Sequence, residues 1–134
     1  TRWVMAQQAL WVGVQPVIDA MLPRLFAAET LERRKEVVEC VREMIVATEL
    51  KSMAAALRGM AERPDSTPQL AEIKVPALLI AGAEDKITPA EEMRRVAKAI
   101  PGAEFAEIPA AGHMTPMENP EAVNAAIDRF LKSE

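Results

Sequence analysis

The feature that most constrains the fold is an uninterrupted apolar run, VPALLIAG, at residues 75–82. Such a run is too short for a good helix and is typical of a parallel strand that is buried on both faces. Residues 88–91, TPAE, form a capping box with proline at the first helical position, which predicts a helix over residues 89–100. A second, less apolar strand is predicted over residues 103–108. This β-α-β order predicts parallel pairing with a right-handed connection.

The first half of the chain has a helical pattern. From residue 1 to about residue 61, apolar residues recur three and four apart, and charged residues fill the opposite face. The clearest helix is predicted over residues 31–47, with Thr30 as its N-cap. A second apolar stripe over residues 50–60 predicts the next helix, and a loop rich in proline and short polar residues follows it.

The last helix is predicted to begin at Asn119 and to point five residues inward: Val123, Ala126, Ile127, Phe130 and Leu131. The expected fold class is therefore α/β, with a helical segment over residues 1–72 and a β-α-β-α segment over residues 73–134. Two parallel strands do not make a stable sheet, because both outer edges stay unpaired and the faces are too narrow for the helices that cover them. We therefore expect either an excerpt of a larger sheet or a sheet that a second copy completes.

Composition excludes several classes of function. Sixteen basic and 20 acidic residues give a net charge of −4, so nothing draws the chain to nucleic acid or to anionic lipid. One cysteine, Cys40, cannot form an internal disulfide, and with a single histidine it cannot build a zinc site, which favours a reducing, cytoplasmic compartment. We expect Cys40 to be a buried, inert thiol. The apolar stretch over residues 3–17 is too short and too polar for a membrane span or an export signal.

Two polar side chains follow the two predicted strands. Asp85 comes directly after the first strand, and His113, the single histidine, comes after the second. Reactive groups of open parallel sheets lie in the loops at the carboxyl ends of strands, so both side chains are expected at one edge of the sheet. A carboxylate there can accept the hydrogen bond of the imidazole Nδ1 and stabilise the imidazolium when Nε2 takes a proton.

Simpler interpretations stand beside this one. Asp85 could serve only the backbone donors of its own turn, as acidic loop residues often do. A single loop histidine is more often an ordinary surface residue, and the neighbouring Glu84 is an obvious decoy. The matched positions of Asp85 and His113, each with a predicted helix after its loop, favour the functional interpretation.

The sequence also resembles a known family. IKVPALLIAG at residues 73–82, Asp85, the dipeptide TP at residues 88–89, PAAGH at residues 109–113 and ENP at residues 118–120 follow one another as in the last third of the α/β-hydrolase superfamily. The resemblance implies that Asp85 is the acid and His113 the general base of a catalytic triad, in the chain order nucleophile, acid, histidine.

Within that superfamily, residues 1–72 fall where a helical lid is inserted and resemble the lids of small esterases and enol-lactonases, for example in AAALRGM at residues 54–60 and RPDSTP at residues 63–68. Ile87 and Met114 flank the two triad positions and are expected to line the substrate pocket. No cofactor and no metal ion is expected.

One element of the family pattern is missing. The family places its nucleophile in a Gly-x-Ser-x-Gly turn, and none of Ser52, Ser66 and Ser133 lies in such a context. The first residue is threonine rather than methionine. We therefore expect a C-terminal part of a hydrolase whose parent cleaves a small ester, lactone or related substrate with a serine nucleophile, and we expect this chain alone to be inactive. An aspartate nucleophile upstream would instead mean dehalogenase or epoxide hydrolase chemistry, because members of the superfamily share the scaffold but not the reaction. The alternative is a non-catalytic module, and either kind of isolated chain is expected to associate with itself.

Overall fold

A computed structural model describes residues 4, 7 and 10–132. Residues 4, 7 and 10–12 are helical, and the elements whose bounds are described follow them: five helical segments, a strand, a helix, a second strand and two more helices. In chain order they are α1 (Gln15–Leu25), α2 (Ala28–Arg33), α3 (Lys35–Ala47), α4 (Leu50–Glu62), a 3₁₀ helix (Thr67–Glu72), β1 (Leu78–Gly82), α5 (Ala90–Ala99), β2 (Glu104–Ile108), α6 (Thr115–Glu118) and α7 (Pro120–Lys132).

The two strands pair in parallel, in a register that runs from Leu78 opposite Glu104 to Gly82 opposite Ile108. This confirms the predicted α/β class and the parallel pairing. Among the described residues the sheet has only these two strands. The β1 strand begins at Leu78 and not at Val75, which is 67% exposed. Pro76 explains the late start, because proline has no N–H to donate to a ladder.

The helical segment is divided differently from the prediction. The helix expected over residues 31–47 is two helices, α2 and α3, separated by Arg34 with φ −120° and ψ 58°. The break lets the Arg34 guanidinium donate to the carbonyls of Glu118 and Met117, at 2.5 and 3.4 Å. Thr30 is wrong as an N-cap, since it lies inside α2 and is buried; Ala27 holds the cap position.

Two further expectations about burial are wrong. Cys40 is exposed, because it lies one position, or about 100°, around α3 from the buried Val41. In α7, Val123 and Ala126 are buried as predicted, whereas Ile127 and Leu131 are 40% and 66% exposed. The described sheet is too narrow to cover the whole apolar face of this helix.

The capping prediction for α5 is also wrong in detail. Pro89 occupies the N-cap position, and no side chain caps the helix. The Thr88 hydroxyl, expected at the cap, instead donates to Asp85. Asn119 does begin α7, because its Oδ1 accepts a hydrogen bond from the Ala122 amide at 3.2 Å.

Two apolar clusters fill the interior. The first lies in the helical segment and consists of five buried residues: Ile18, Leu22, Leu25, Phe26 and Val41. The second lies between β2 and α7 and consists of Ile108, Ala111, Val123 and Ala126. Partly buried residues of the loops that follow both strands pack on the first cluster, so the helical segment rests directly on the edge of the sheet where the polar side chains gather.

Within the described part of the chain, no helix is long and apolar enough to cross a membrane.

Candidate active site

Asp85 is held in a tight turn directly after β1. Its amide donates to the Gly82 carbonyl at 3.2 Å, and its side chain is only 4% exposed. Oδ1 accepts the amides of Ile87 and Thr88, at 2.7 and 3.0 Å, and Oδ2 accepts the Thr88 hydroxyl at 2.8 Å. Asp85 therefore does serve the backbone donors of its own turn.

The same carboxylate also contacts the histidine. Nδ1 of His113 lies 2.9 Å from Oδ2 of Asp85. Because an ionised carboxylate can only accept a hydrogen bond, Nδ1 must carry the hydrogen, and Nε2 of the neutral ring is then the basic nitrogen. No described group hydrogen-bonds Nε2, and the His113 side chain is 36% exposed. The two interpretations of Asp85 are therefore compatible, since one oxygen organises the turn and the other faces the imidazole.

The surroundings keep Asp85 ionised. Burial raises the pKa of its carboxyl, but hydrogen bonds from the Thr88 amide, the His113 ring, the Ile87 amide and the Thr88 hydroxyl together outweigh burial, and the pKa lies below the ordinary aspartate value. A carboxylate that stays charged at neutral pH can stabilise a neighbouring imidazolium.

Close backbone packing brings the two loops together. We call residues 109–114 the histidine loop. The amide of Glu84 donates to the Ala111 carbonyl at 2.9 Å, and Gly82 lies against the same loop. A Cβ atom on Gly82 would lie 2.2 Å from the Gly112 carbonyl oxygen, which no real side chain tolerates. Ala110 has a φ of 51°, in the left-handed region, where the loop turns back toward β1.

The helical segment reaches the same loop from the other side. The carbonyl of Leu25, the last residue of α1, accepts the amides of both His113 and Met114, at 2.8 and 3.1 Å. A Cβ atom on Gly112 would lie 2.7 Å from the Ala27 nitrogen. The histidine loop is therefore packed between the end of β1 and the junction of α1 and α2.

Ile87 and Met114, predicted to line a pocket, are both partly buried against the apolar cluster of the helical segment. Two cavities among the described residues lie elsewhere. One, of about 540 Å³, is lined by residues 63–67 together with Met60, Leu70 and Val96, and the other, of about 400 Å³, lies between β2 and α7. Neither is lined by Asp85, His113, Ile87 or Met114, so the assignment of these two apolar side chains to a substrate pocket stays a prediction.

Glu84 is separate from the pair, because its carboxylate is exposed and accepts the Ala28 amide at 3.1 Å. Of the serines considered as nucleophiles, Ser52 and Ser66 are both exposed, the Ser52 hydroxyl donates to Glu49 at 3.4 Å, and Ser133 lies outside the described residues. In the described ranges, no group of three or more histidine, cysteine or acidic side chains could hold a metal ion.

Sequence reasoning missed two residues at this site. The Thr88 hydroxyl donates to Asp85 and lies 3.4 Å from His113 Nδ1. Glu118 is buried and accepts the amides of Gly112 and Ala27. The sequence shows Glu118 five positions after the single histidine, but one of its partners, Ala27, lies 91 residues away, and no local pattern indicates that contact.

The sequence and the fold are similar to those of known hydrolases. A sequence model described as the alpha/beta hydrolase family matches residues 2–126. Among solved structures, a thermophilic esterase from Thermogutta terrifontis is 41% identical, with a TM-score of 0.94 over 98% of this chain and 48% of its own. The enol-lactonase from Burkholderia xenovorans LB400 is 33% identical, with a TM-score of 0.89 over 97% of this chain and 50% of its own.

A curated relative, 3-oxoadipate enol-lactonase 2 from Acinetobacter baylyi, is 28% identical over 120 residues, which are 90% of this chain and 44% of that protein. The chain thus spans about half the length of the proteins that it matches.

Proposed function

This chain belongs to the alpha/beta hydrolase family, and on that premise we propose that Asp85 and His113 are the acid and the general base of a catalytic triad that hydrolyses a small ester or lactone. The observation that carries the proposal is the 2.9 Å contact between Asp85 Oδ2 and His113 Nδ1, with no described group bonded to Nε2. A non-catalytic module has no need for this pair, which is the reason to prefer the enzymatic function.

The proposed reaction begins with a hydroxyl nucleophile. Nε2 of His113 takes the hydroxyl proton while the oxygen attacks the carbonyl carbon of the substrate. The imidazolium, stabilised by Asp85, then gives that proton to the leaving alkoxide as the C–O bond breaks. Water repeats the two steps on the acyl-enzyme and releases the acid. In a lactone the leaving alkoxide stays attached to the product, so the ring opens.

The nucleophile and the oxyanion hole are proposed to come from residues outside these 134. None of the serines of the chain lies in the Gly-x-Ser-x-Gly sequence that carries the nucleophile in this family. The family resemblance also leads us to propose residues 1–72 as the lid and residues 73–134 as the part of the core that carries the acid and the base.

The names of the relatives support the proposed substrate class. The matches described above are named an esterase and enol-lactonases. Both kinds of substrate present a carbonyl carbon with an oxygen leaving group, an alkoxide in an ordinary ester or lactone and an enolate in an enol-lactone, and one acid–base pair can protonate either. We therefore propose small esters and lactones as the substrates, with no cofactor.

A chimera tests this proposal. The part of the Thermogutta terrifontis esterase that this chain does not match is fused before Thr1, and hydrolysis of short aryl esters and small lactones is measured. We expect the chimera to be active and the 134-residue chain alone to be silent. His113→Ala and Asp85→Asn should each lower kcat by about 10⁴-fold, because the base is lost or held in the wrong tautomer.

Glu84→Gln is the matched control, since Glu84 is the adjacent carboxylate but does not contact the histidine. It should keep activity within a few-fold of the unmodified chimera. Near-normal turnover in Asp85→Asn, or an equal loss in Glu84→Gln, would remove Asp85 from the triad.

A further inference from the structure

Glu118 is a buried acidic side chain, 5% exposed, that the proposed reaction does not use. It lies at the end of the short helix α6, which directly follows the histidine loop. Burying a carboxylate is costly unless hydrogen bonds compensate for the lost hydration. The burial of Glu118 therefore has to be explained by the hydrogen bonds that its carboxylate accepts.

The two oxygens of Glu118 have different partners. Oε1 accepts the Gly112 amide at 2.8 Å, and Oε2 accepts the Ala27 amide at 2.7 Å. Gly112 immediately precedes His113, and Ala27 caps α2 in the helical segment. One carboxylate thus joins the histidine loop to the junction of α1 and α2.

Other contacts hold Glu118 and its loop in place. The Arg34 guanidinium donates to the main-chain carbonyl of Glu118, and the Thr115 hydroxyl donates to the Gly112 carbonyl at 2.7 Å. Gly112 has no room to move toward the helical segment, because even a Cβ atom there would lie 2.7 Å from the Ala27 nitrogen. Gly112, the residue before His113, is therefore held at both its N–H and its C=O.

We infer that Glu118 is a positioning residue for His113: by accepting the amides of Gly112 and Ala27 together, its carboxylate holds the imidazole against Asp85. The inference rests on the proposed function, in which the Asp85–His113 contact sets the protonated nitrogen. Only a carboxylate accepts at both oxygens, because an amide in its place presents a donor to one of the two N–H groups.

The imidazole tautomer gives a direct readout. His113 is the single histidine, so its ring nitrogens give one set of ¹⁵N resonances in the untagged, labelled chain. At a pH where the ring is neutral, the unmodified chain should show the hydrogen on Nδ1, as the contact with Asp85 requires. Glu118→Gln, which keeps the size of the side chain, should shift the ratio of Nδ1–H to Nε2–H by about tenfold or more toward Nε2–H, the expected scale for loss of a charge-assisted hydrogen bond.

Two further variants sharpen the result. Glu118→Asp keeps the charge on a shorter side chain and should give an intermediate ratio, which provides a milder test if Glu118→Gln does not fold. Glu121→Gln, at an exposed glutamate three residues later in α7, should leave the ratio unchanged. In the unmodified chain, hydrogen exchange at Gly112 and Ala27 should be slowed by on the order of 100-fold or more.

The outcomes separate this inference from the proposed function. If the unmodified chain carries Nδ1–H and both Glu118 variants keep it, Glu118 does not position His113, and the Asp85–His113 pair stands without it. Exchange at the coil rate at either amide also overturns the inference. If the unmodified chain carries Nε2–H, the pair itself is absent, and the proposed function fails together with the inference.

Discussion

At the scale of single residues, Asp85 combines two tasks on one carboxylate. Oδ1 closes its own turn through the amides of Ile87 and Thr88, and Oδ2 faces His113 and the Thr88 hydroxyl. Asparagine at this position would keep an acceptor for the turn amides while it loses the acceptor that faces the imidazole. This division explains why Asp85→Asn is expected to affect the proposed chemistry more than the fold.

The lowered pKa of Asp85 predicts how stability depends on pH. Because the carboxyl releases its proton more readily in the folded state, ionised Asp85 stabilises the fold above the unfolded-state pKa, which is about 3.9 for aspartate. That contribution is lost as the pH falls from this value through the lower folded-state pKa. The free energy of unfolding, measured with urea at pH 6 and at pH 3, should fall less between the two pH values in Asp85→Asn than in the unmodified chain.

Asp65 provides the comparison for this measurement. Its pKa is also lowered, by hydrogen bonds from the hydroxyl and the amide of Thr67, but its carboxyl is fully exposed. Asp65→Asn removes a carboxyl whose pKa is lowered but which does not contact Asp85 or His113, so it measures the contribution of a surface turn to the pH dependence. An identical pH dependence in Asp85→Asn and the unmodified chain would contradict the assignment of the effect to Asp85.

Asp85 and His113 could be located from sequence because each directly follows a strand that the apolar pattern predicts. Thr88 and Glu118 could not be assigned in the same way. The pattern gave Thr88 the role of a helix cap, whereas the tertiary structure uses its hydroxyl to hold Asp85. Glu118 acts through the amide of Ala27, 91 residues earlier in the chain, and its role depends on packing that no short window of sequence contains.

At the scale of elements, periodicity predicted the kinds of helices and strands better than their ends. Both strands, their parallel order and the final helix follow from local apolar patterns. The start of β1 was missed because Pro76, which has no N–H to donate, delays the strand. The break at Arg34 was missed because it accompanies a contact between Arg34 and α6, which is distant in sequence. Burial along α7 was overestimated, since helical periodicity identifies an apolar face but not the extent of the sheet that it covers.

Close packing between elements predicts a large effect at Gly82. Gly82→Ala should destabilise the chain by at least about 2 kcal/mol, because the new methyl group would meet backbone atoms of Ala111 and Gly112 that cannot rotate away. Gly59→Ala is the control, since Gly59 lies in α4 with open space around it, and alanine there should stabilise the helix by up to about 1 kcal/mol. Urea unfolding of both variants checks the difference, and similar stabilities would mean that β1 and the histidine loop are less closely packed than described.

At the scale of the whole molecule, the described sheet is narrow for the helices that it carries. It has two strands, and apolar side chains such as Ile127 and Leu131 on α7 stay exposed. Exposed apolar surface and unpaired strand edges favour association between chains.

The isolated 134-residue chain is therefore expected to form a dimer or a larger assembly. Light scattering coupled to size-exclusion chromatography, over a dilution series, measures the mass directly. Leu131→Lys should shift the equilibrium toward the monomer if α7 contributes to the contact. Asn124→Lys, at an exposed neutral residue of the same helix, tests whether one added positive charge has that effect by itself. A monomeric mass for the unmodified chain at all concentrations would contradict this expectation.

The Leu25 carbonyl, which accepts the amides of His113 and Met114, also bears on how relatives of this chain could be recombined. A crossover between residues 72 and 73 falls between the two segments that the sequence pattern predicts. It would nevertheless take residues 25–27 from one parent and the histidine loop that they contact from the other. Exchanging helical segments between relatives should therefore preserve the conformation of the histidine loop best when these three residues are inherited from the same parent as the histidine.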